Sequence, residues 1–101
     1  MQVVDFRIGA RLRERMDQAA AKEGLTRSDW IRLALLDLDG EPLHELRLPA
    51  FLVAEAVDES RRCCLRLTKQ YIESLDRIAN ELGATRTLAV KLAVIVRLSA
   101  Q

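Results

Sequence analysis

The chain carries one motif twice. Residues 24–34 read GLTRSDWIRLA and residues 83–93 read GATRTLAVKLA, the same Gly-x-Thr-Arg-Ser/Thr-x-x-Ile/Val-Arg/Lys-Leu-Ala pattern displaced by 59 positions. Carried back without a gap, that offset aligns residues 3–35 with 62–94. Nine of the 33 pairs are identical: Arg7/Arg66, Glu14/Glu73, Asp17/Asp76, Ala20/Ala79, Gly24/Gly83, Thr26/Thr85, Arg27/Arg86, Leu33/Leu92 and Ala34/Ala93. A unit of about 35 residues is too small to bury a core alone and needs a partner. Here a partner is joined covalently, so the expected division is a first repeat over 1–38, a connector over 39–61 and a second repeat over 62–101.

Each copy resolves into three elements. Val3 to Ile8 (VVDFRI) and Arg62 to Leu67 (RCCLRL) alternate apolar and polar, which predicts short strands with one buried face: Phe6, Ile8, Leu65 and Leu67 inward, Asp5, Arg7, Cys64 and Arg66 outward. Helices follow, with Leu12, Met16, Ala19 and Ala20 in one copy and Tyr71, Leu75, Ile78 and Ala79 in the other at i, i+4, i+7 and i+8. Thr68 is a candidate cap for the second of these and Gly9 a weaker one for the first. Gly24 and Gly83 stand where a left-handed residue ends a helix, and Thr26 and Thr85 where the next begins. Asp29 completes something close to a capping box. Trp30, Ile31, Ala34 and Leu35, with Ala89, Val90, Ala93 and Val94, form the inward faces of the closing helices. One six-residue strand is not a sheet, so the two copies are expected to pair antiparallel, leaving four helices under a two-stranded ribbon. Residues 43–57 (LHELRLPAFLVAEAV) are apolar and Pro49 is placed to open a short helix, so the connector is expected to be ordered. Its length lets the second strand return beside the first, although exchange between two chains is equally within reach.

Charge and composition narrow the function. The net charge is +1, but residues 1–35 hold seven basic and five acidic side chains (+2), residues 36–61 two and seven (−5), and residues 62–101 seven and three (+4). Both repeats are basic and the connector masks it; where charge clusters matters more than its total. No apolar run reaches the roughly 20 residues of a membrane span, and no secretion signal opens the chain, so a cytoplasmic protein is expected. Cys63 and Cys64 are neighbours, a poor geometry for a bridge. With His44 as sole histidine they match neither the number nor the spacing of a zinc site. No nucleophile and base, carboxylate pair or phosphate loop stands out. Neither an enzyme nor a cofactor is expected.

Strand, helix, Gly-x-Thr-Arg-Ser/Thr turn and second helix resemble the ribbon-helix-helix proteins, the Arc/MetJ class of small bacterial, phage and plasmid DNA-binding proteins. Phe6-Arg7-Ile8 and Leu65-Arg66-Leu67 stand where that class often has Val-Arg-Leu, and Thr26 to Arg32 is the most specific stretch. Two copies in one chain are similar to the fused arrangement of some conjugation accessory proteins, the TraY and VirC2 types. The resemblance implies a mainly α fold with a two-stranded antiparallel β-ribbon, a tandem pseudo-dimer, that binds double-stranded DNA with its ribbon in the major groove. It places Arg7, Arg66, Arg62, Asp5, Val3 and Cys64 at base edges, the arginines suiting guanine O6 and N7 and Val3 a thymine methyl. Thr26, Arg27 and Ser28, with Thr85, Arg86 and Thr87, fall at helix starts that suit phosphates. Asp5 against Cys64 makes the strands unlike, which favours an imperfect palindrome. A repressor and a relaxosome accessory factor, with self-association on DNA or a relaxase as partner, share this chemistry. The competing expectation is an antitoxin that pairs through the fold and masks a toxin with its connector.

Overall fold

The computed structural model describes residues 1–100. In chain order these form β1 (Gln2–Ile8), α1 (Ala10–Lys22), α2 (Arg27–Leu38), a 3-10 turn (Leu43–Glu45), α3 (Ala50–Val57), β2 (Arg61–Leu67), α4 (Lys69–Leu82) and α5 (Arg86–Ser99). The molecule is mainly helical with a two-stranded antiparallel sheet, and both strands come from this one chain. Val3 faces Arg66, Asp5 faces Cys64 and Arg7 faces Arg62. Cross-strand partners thus have numbers summing to 69, and with the repeat offset of 59 the pair Asp5/Cys64 consists of counterparts that face each other.

Strict alternation decides which side of the ribbon is wet. Val4, Phe6 and Ile8 of β1 and Cys63, Leu65 and Leu67 of β2 are buried, while every intervening residue is exposed. Period-two burial of this kind fixes the register, since a slip of one residue would invert both faces. Beneath the ribbon α2 packs on α5 through Trp30, Ile31, Ala34, Leu35 and Leu38 and through Ala89, Val90, Ala93, Val94 and Ile95.

The turns between helices repeat in detail. Gly24 and Gly83 take left-handed backbone at φ 68° and 64°, which a side chain would resist. The N–H of Leu25 and of Ala84 then returns to the carbonyl of Ala20 and of Ala79, both at 2.9 Å. Thr26 and Thr85 cap the next helices, each Oγ1 accepting from the third residue on, Asp29 or Leu88, at 3.2 Å. Repeated Gly, Thr and Ala therefore encode one corner, built twice.

Three sequence expectations change. Asp29 does not close a capping box; its carboxylate accepts from Arg32 Nη1 at 2.8 Å, one turn along the same helix. Thr68 occupies the start of α4, but its hydroxyl makes no capping bond. Tyr71 is half-buried, and Ile72 and Ser74 join Leu75, Ile78 and Ala79 on the inner face of α4. Helices α2 and α5, strand β2 and the connector's 3-10 turn all lie against α4, and its covered face is wider than the expected stripe.

The connector is ordered, as its apolar composition implied, and Pro49 opens α3. Leu43, Leu52 and Ala56 are buried. Arg15 holds α3 from α1, pairing with Glu55 at 3.0 Å and lying over the Phe51 ring at 5.2 Å. At the end of β1 the Gly9 N–H donates to the Glu55 carbonyl at 2.8 Å. The connector thus closes over the helical side and the end of β1, and leaves the outer face of the ribbon open.

Candidate nucleic-acid interface

The outer face of the ribbon has three cross-strand rows: Val3 with Arg66, Asp5 with Cys64, and Arg7 with Arg62. All six side chains are exposed, Val3 to 55%. The period-two alternation of β1 and β2 brings the six base-contact candidates onto one surface. A two-stranded ribbon is of a width that the B-DNA major groove admits.

These side chains differ in what already holds them. Arg62 Nη2 donates to Asp5 Oδ2 at 2.8 Å, diagonally across the ribbon. That guanidinium and the neighbouring Cys64 thiol hold the Asp5 carboxyl below its ordinary value, and Asp5 in turn raises Arg62. Both partners are open to solvent, at 47% and 62%, so the pair adds little to stability and mainly orients its members. Arg7 and Arg66 are different. Among the described residues neither guanidinium has an ion-pair partner.

Helices stiffen the ribbon from its edges. Arg32 Nη2, on α2, donates to the Arg66 carbonyl at 2.7 Å, and Thr87 Oγ1, on α5, donates to the Asp5 carbonyl at 3.4 Å. Each strand backbone is therefore tied to the start or first turns of a closing helix, so the six outward side chains stand on a braced support. Lys91, the counterpart of Arg32, turns instead to Glu59 just before β2, at 3.5 Å.

The candidate phosphate-binding residues sit at the starts of α2 and α5, where first-turn N–H groups lack intrahelical acceptors. Arg27 and Arg86 have an internal task as well. Arg27 grips Asp17 through Nε and Nη2 at 2.6 and 2.7 Å, and Arg86 grips Asp76 through the same two atoms at 2.7 and 3.0 Å. Each fork joins the second helix of its repeat to the first, with Nη1 of Arg86 also donating to Gln2 at 3.0 Å. The fork raises each guanidinium's pKa, and Arg86 pulls Asp76 below its ordinary value. Ser28 and Thr87 are half-buried, and Thr26 and Thr85 are exposed.

Sequence reasoning left Asp17 and Asp76 without a role, and missed Arg32 and Thr87 as braces. The signal for the forks was present: Asp and Arg recur together in both copies, ten residues apart. Elsewhere, His44 is exposed, Cys63 is buried with its thiol pushed up by burial, and Cys64 is free. Among the described residues no cluster of metal-ligating side chains occurs, and no helix is long and apolar enough to cross a membrane. No family model matches the chain, and no curated protein or solved structure matches it.

Proposed function

We propose that this chain is a fused pair of ribbon-helix-helix units, a pseudo-dimer in one polypeptide, that binds double-stranded DNA by seating its ribbon in the major groove. One observation carries the reading. Of the nine pairs identical in both copies, Gly24/Gly83, Thr26/Thr85, Asp17/Asp76, Arg27/Arg86, Ala20/Ala79 and Ala34/Ala93 have work inside the fold, as turn, cap, fork or core. Glu14/Glu73 are exposed acids on the first helices, away from the ribbon, and of Leu33/Leu92 the first is exposed and the second half-buried against the core. Arg7 and Arg66 have none. They are repeated, outward and unpaired, on a braced two-stranded surface of groove width, and arginine can grip guanine O6 and N7 with two hydrogen bonds. The repeat offset and strand register support the pseudo-dimer, because together they relate Arg7 to Arg66 about the Asp5/Cys64 pair.

Phosphate contacts would come from the first-turn amides of α2 and α5 and from the hydroxyls of Thr26, Ser28 and Thr85. The Thr87 hydroxyl is engaged with the Asp5 carbonyl, and the charges of Arg27 and Arg86 are balanced by Asp17 and Asp76 in their forks. A site-specific binder of this size serves as a transcriptional repressor or as an accessory factor that marks DNA for a conjugative relaxase; the chemistry at the ribbon is common to both. A second reading, an antitoxin or other protein-binding module, draws support from a separate place. Val53, Val57, Leu88, Leu92 and Ile95 line an apolar groove of about 330 Å³ beside α3, with Val57 exposed to 70% and Leu88 to 53%.

The test is fluorescence anisotropy on a duplex selected from a random pool and on an unrelated duplex. Affinity is expected to fall steeply between roughly 50 and 200 mM salt. Arg66→Ala is expected to reduce discrimination between the two duplexes by about 1–3 kcal/mol. Equal losses on both duplexes would remove Arg66 from base reading, and a flat salt response would remove the phosphate contacts. Retention of a small protein partner together with failure to select any duplex would favour the second reading.

A further inference from the structure

We infer that the ribbon reads a non-palindromic duplex in a single orientation, with the Asp5–Arg62 pair and Val3 as the elements that set direction; this rests on the DNA-binding reading above. About the centre of the ribbon, Arg7 and Arg66 are counterparts, so the two unpaired guanidiniums are arranged symmetrically. The other outward positions break that symmetry. Val3 is the counterpart of Arg62, and Asp5 is the counterpart of Cys64. Beside Arg66 lies an exposed valine; beside Arg7 lies Arg62, drawn along the outer face toward the central row by its 2.8 Å bond to Asp5.

The chemistry of the two ends therefore differs. At the Val3/Arg66 end an apolar side chain suits the C5-methyl of thymine next to an arginine-read guanine. In the central row Asp5 leans toward the Arg7/Arg62 end, its Oδ2 taken up by Arg62, and Oδ1 remains able to accept from an exocyclic amino group of cytosine or adenine. The same carboxylate repels the O6 and N7 acceptors of guanine. Cys64 supplies no matching charge on the other strand. Two guanine positions common to both halves thus carry different neighbours, and a perfect palindrome would satisfy one end and mismatch the other. A mismatched base pair generally lowers affinity by about tenfold or more.

The experiment uses the full chain. A duplex is selected from a random pool, and two palindromes are made by mirroring each of its halves. Wild type is expected to bind the selected duplex about tenfold or more tighter than either palindrome at fixed salt. The double substitution Val3→Arg/Asp5→Cys gives both strands the same outward triad, and is expected to bring the three affinities within about twofold. Asp5→Asn, which keeps the shape and an acceptor for Arg62 but removes the charge, is expected to relax preference only at the base pair that Asp5 contacts. Both positions are exposed, and circular dichroism melting checks that the fold is kept. Selection of a palindrome, or wild-type affinity for either mirrored duplex equal to that for the selected duplex, overturns the orientation and leaves DNA reading intact. Failure to select any duplex removes both.

Discussion

The first and second halves of the molecule share corners and differ in filling. Both close their helix pairs with a left-handed glycine, a threonine cap and an Asp–Arg fork, yet Trp30, the largest fully buried side chain, has Ala89 as its counterpart, and Leu38 has Arg97. Arg97 lies 5.4 Å over the Trp30 ring and pairs with Glu23 and Asp37, so a residue of the second half covers a residue of the first. The difference separates two kinds of constraint. A corner needs one backbone geometry and so needs the same residues each time; a shared core needs only its total volume filled, so the two halves can divide that volume unequally.

The largest expected effect tests that division. Trp30→Ala should cost about 3–5 kcal/mol in urea unfolding, as for other buried aromatics, whereas Ala89→Gly should cost about 1 kcal/mol, the helix penalty of glycine. Similar losses at both positions would mean that the halves fill the core equally.

Next is the junction between strand and helix. Gly9 and Thr68 are counterparts, but α3 presses only on the first: a Cβ at Gly9 would stand 2.7 Å from the Glu55 carbonyl oxygen and 3.0 Å from Asp58 Oδ2. A backbone carbonyl cannot swing aside as a side-chain tip can, so Gly9→Ala should destabilise by about 1–3 kcal/mol through overpacking. Thr68→Ala, which removes no capping bond, should stay within about 0.5 kcal/mol of wild type. If Gly9→Ala were neutral in thermal melting, the connector helix would not be fixed at that junction.

The smallest effect belongs to the forks. The Arg27–Asp17 fork is the more covered, with Arg27 exposed to 30% against 43% for Arg86, and Arg27→Ala should cost about 1 kcal/mol. Arg86→Ala should cost less. Because Arg86 lowers the Asp76 pKa from its ordinary 3.8, the stabilisation is present above that value and is lost as the pH falls through the depressed folded-state pKa. The gap between wild type and Arg86→Ala, present at neutral pH, should therefore close on acidification below 3.8; a gap that widened instead would show that Asp76 is not the partner that matters.

Much of the fold was legible because its signals are local. Period-two alternation placed both strands within one residue of their observed ends, and Leu12, Met16, Ala19 and Ala20 all proved buried. Tyr71 packs against the core but is only half-buried, and Ile72 and Ser74 are buried, because α4 is covered by α2, α5, β2 and the connector's 3-10 turn together, an arrangement that periodicity within α4 does not contain. The candidate site was legible as a set of outward residues, but their mutual contacts were not. Arg62 meets Asp5 across 57 positions of sequence, and Arg32 reaches the Arg66 carbonyl across 34. Spacing along a strand gives the face of a residue, not its neighbour on the other strand.

By itself the sequence determined the duplicated strand–helix–helix plan, the buried and wet faces of each strand, and the corners that glycine and threonine dictate, since all of these follow from dihedral preference and short-range periodicity. Only the tertiary structure decided that both strands pair within one chain with Asp5 opposite Cys64, that Arg62 is held while Arg7 and Arg66 stay unpaired, and that the connector leaves the ribbon uncovered. Those outcomes depend on contacts between residues far apart in the chain, where packing and register choose among partners that local chemistry leaves equally suited.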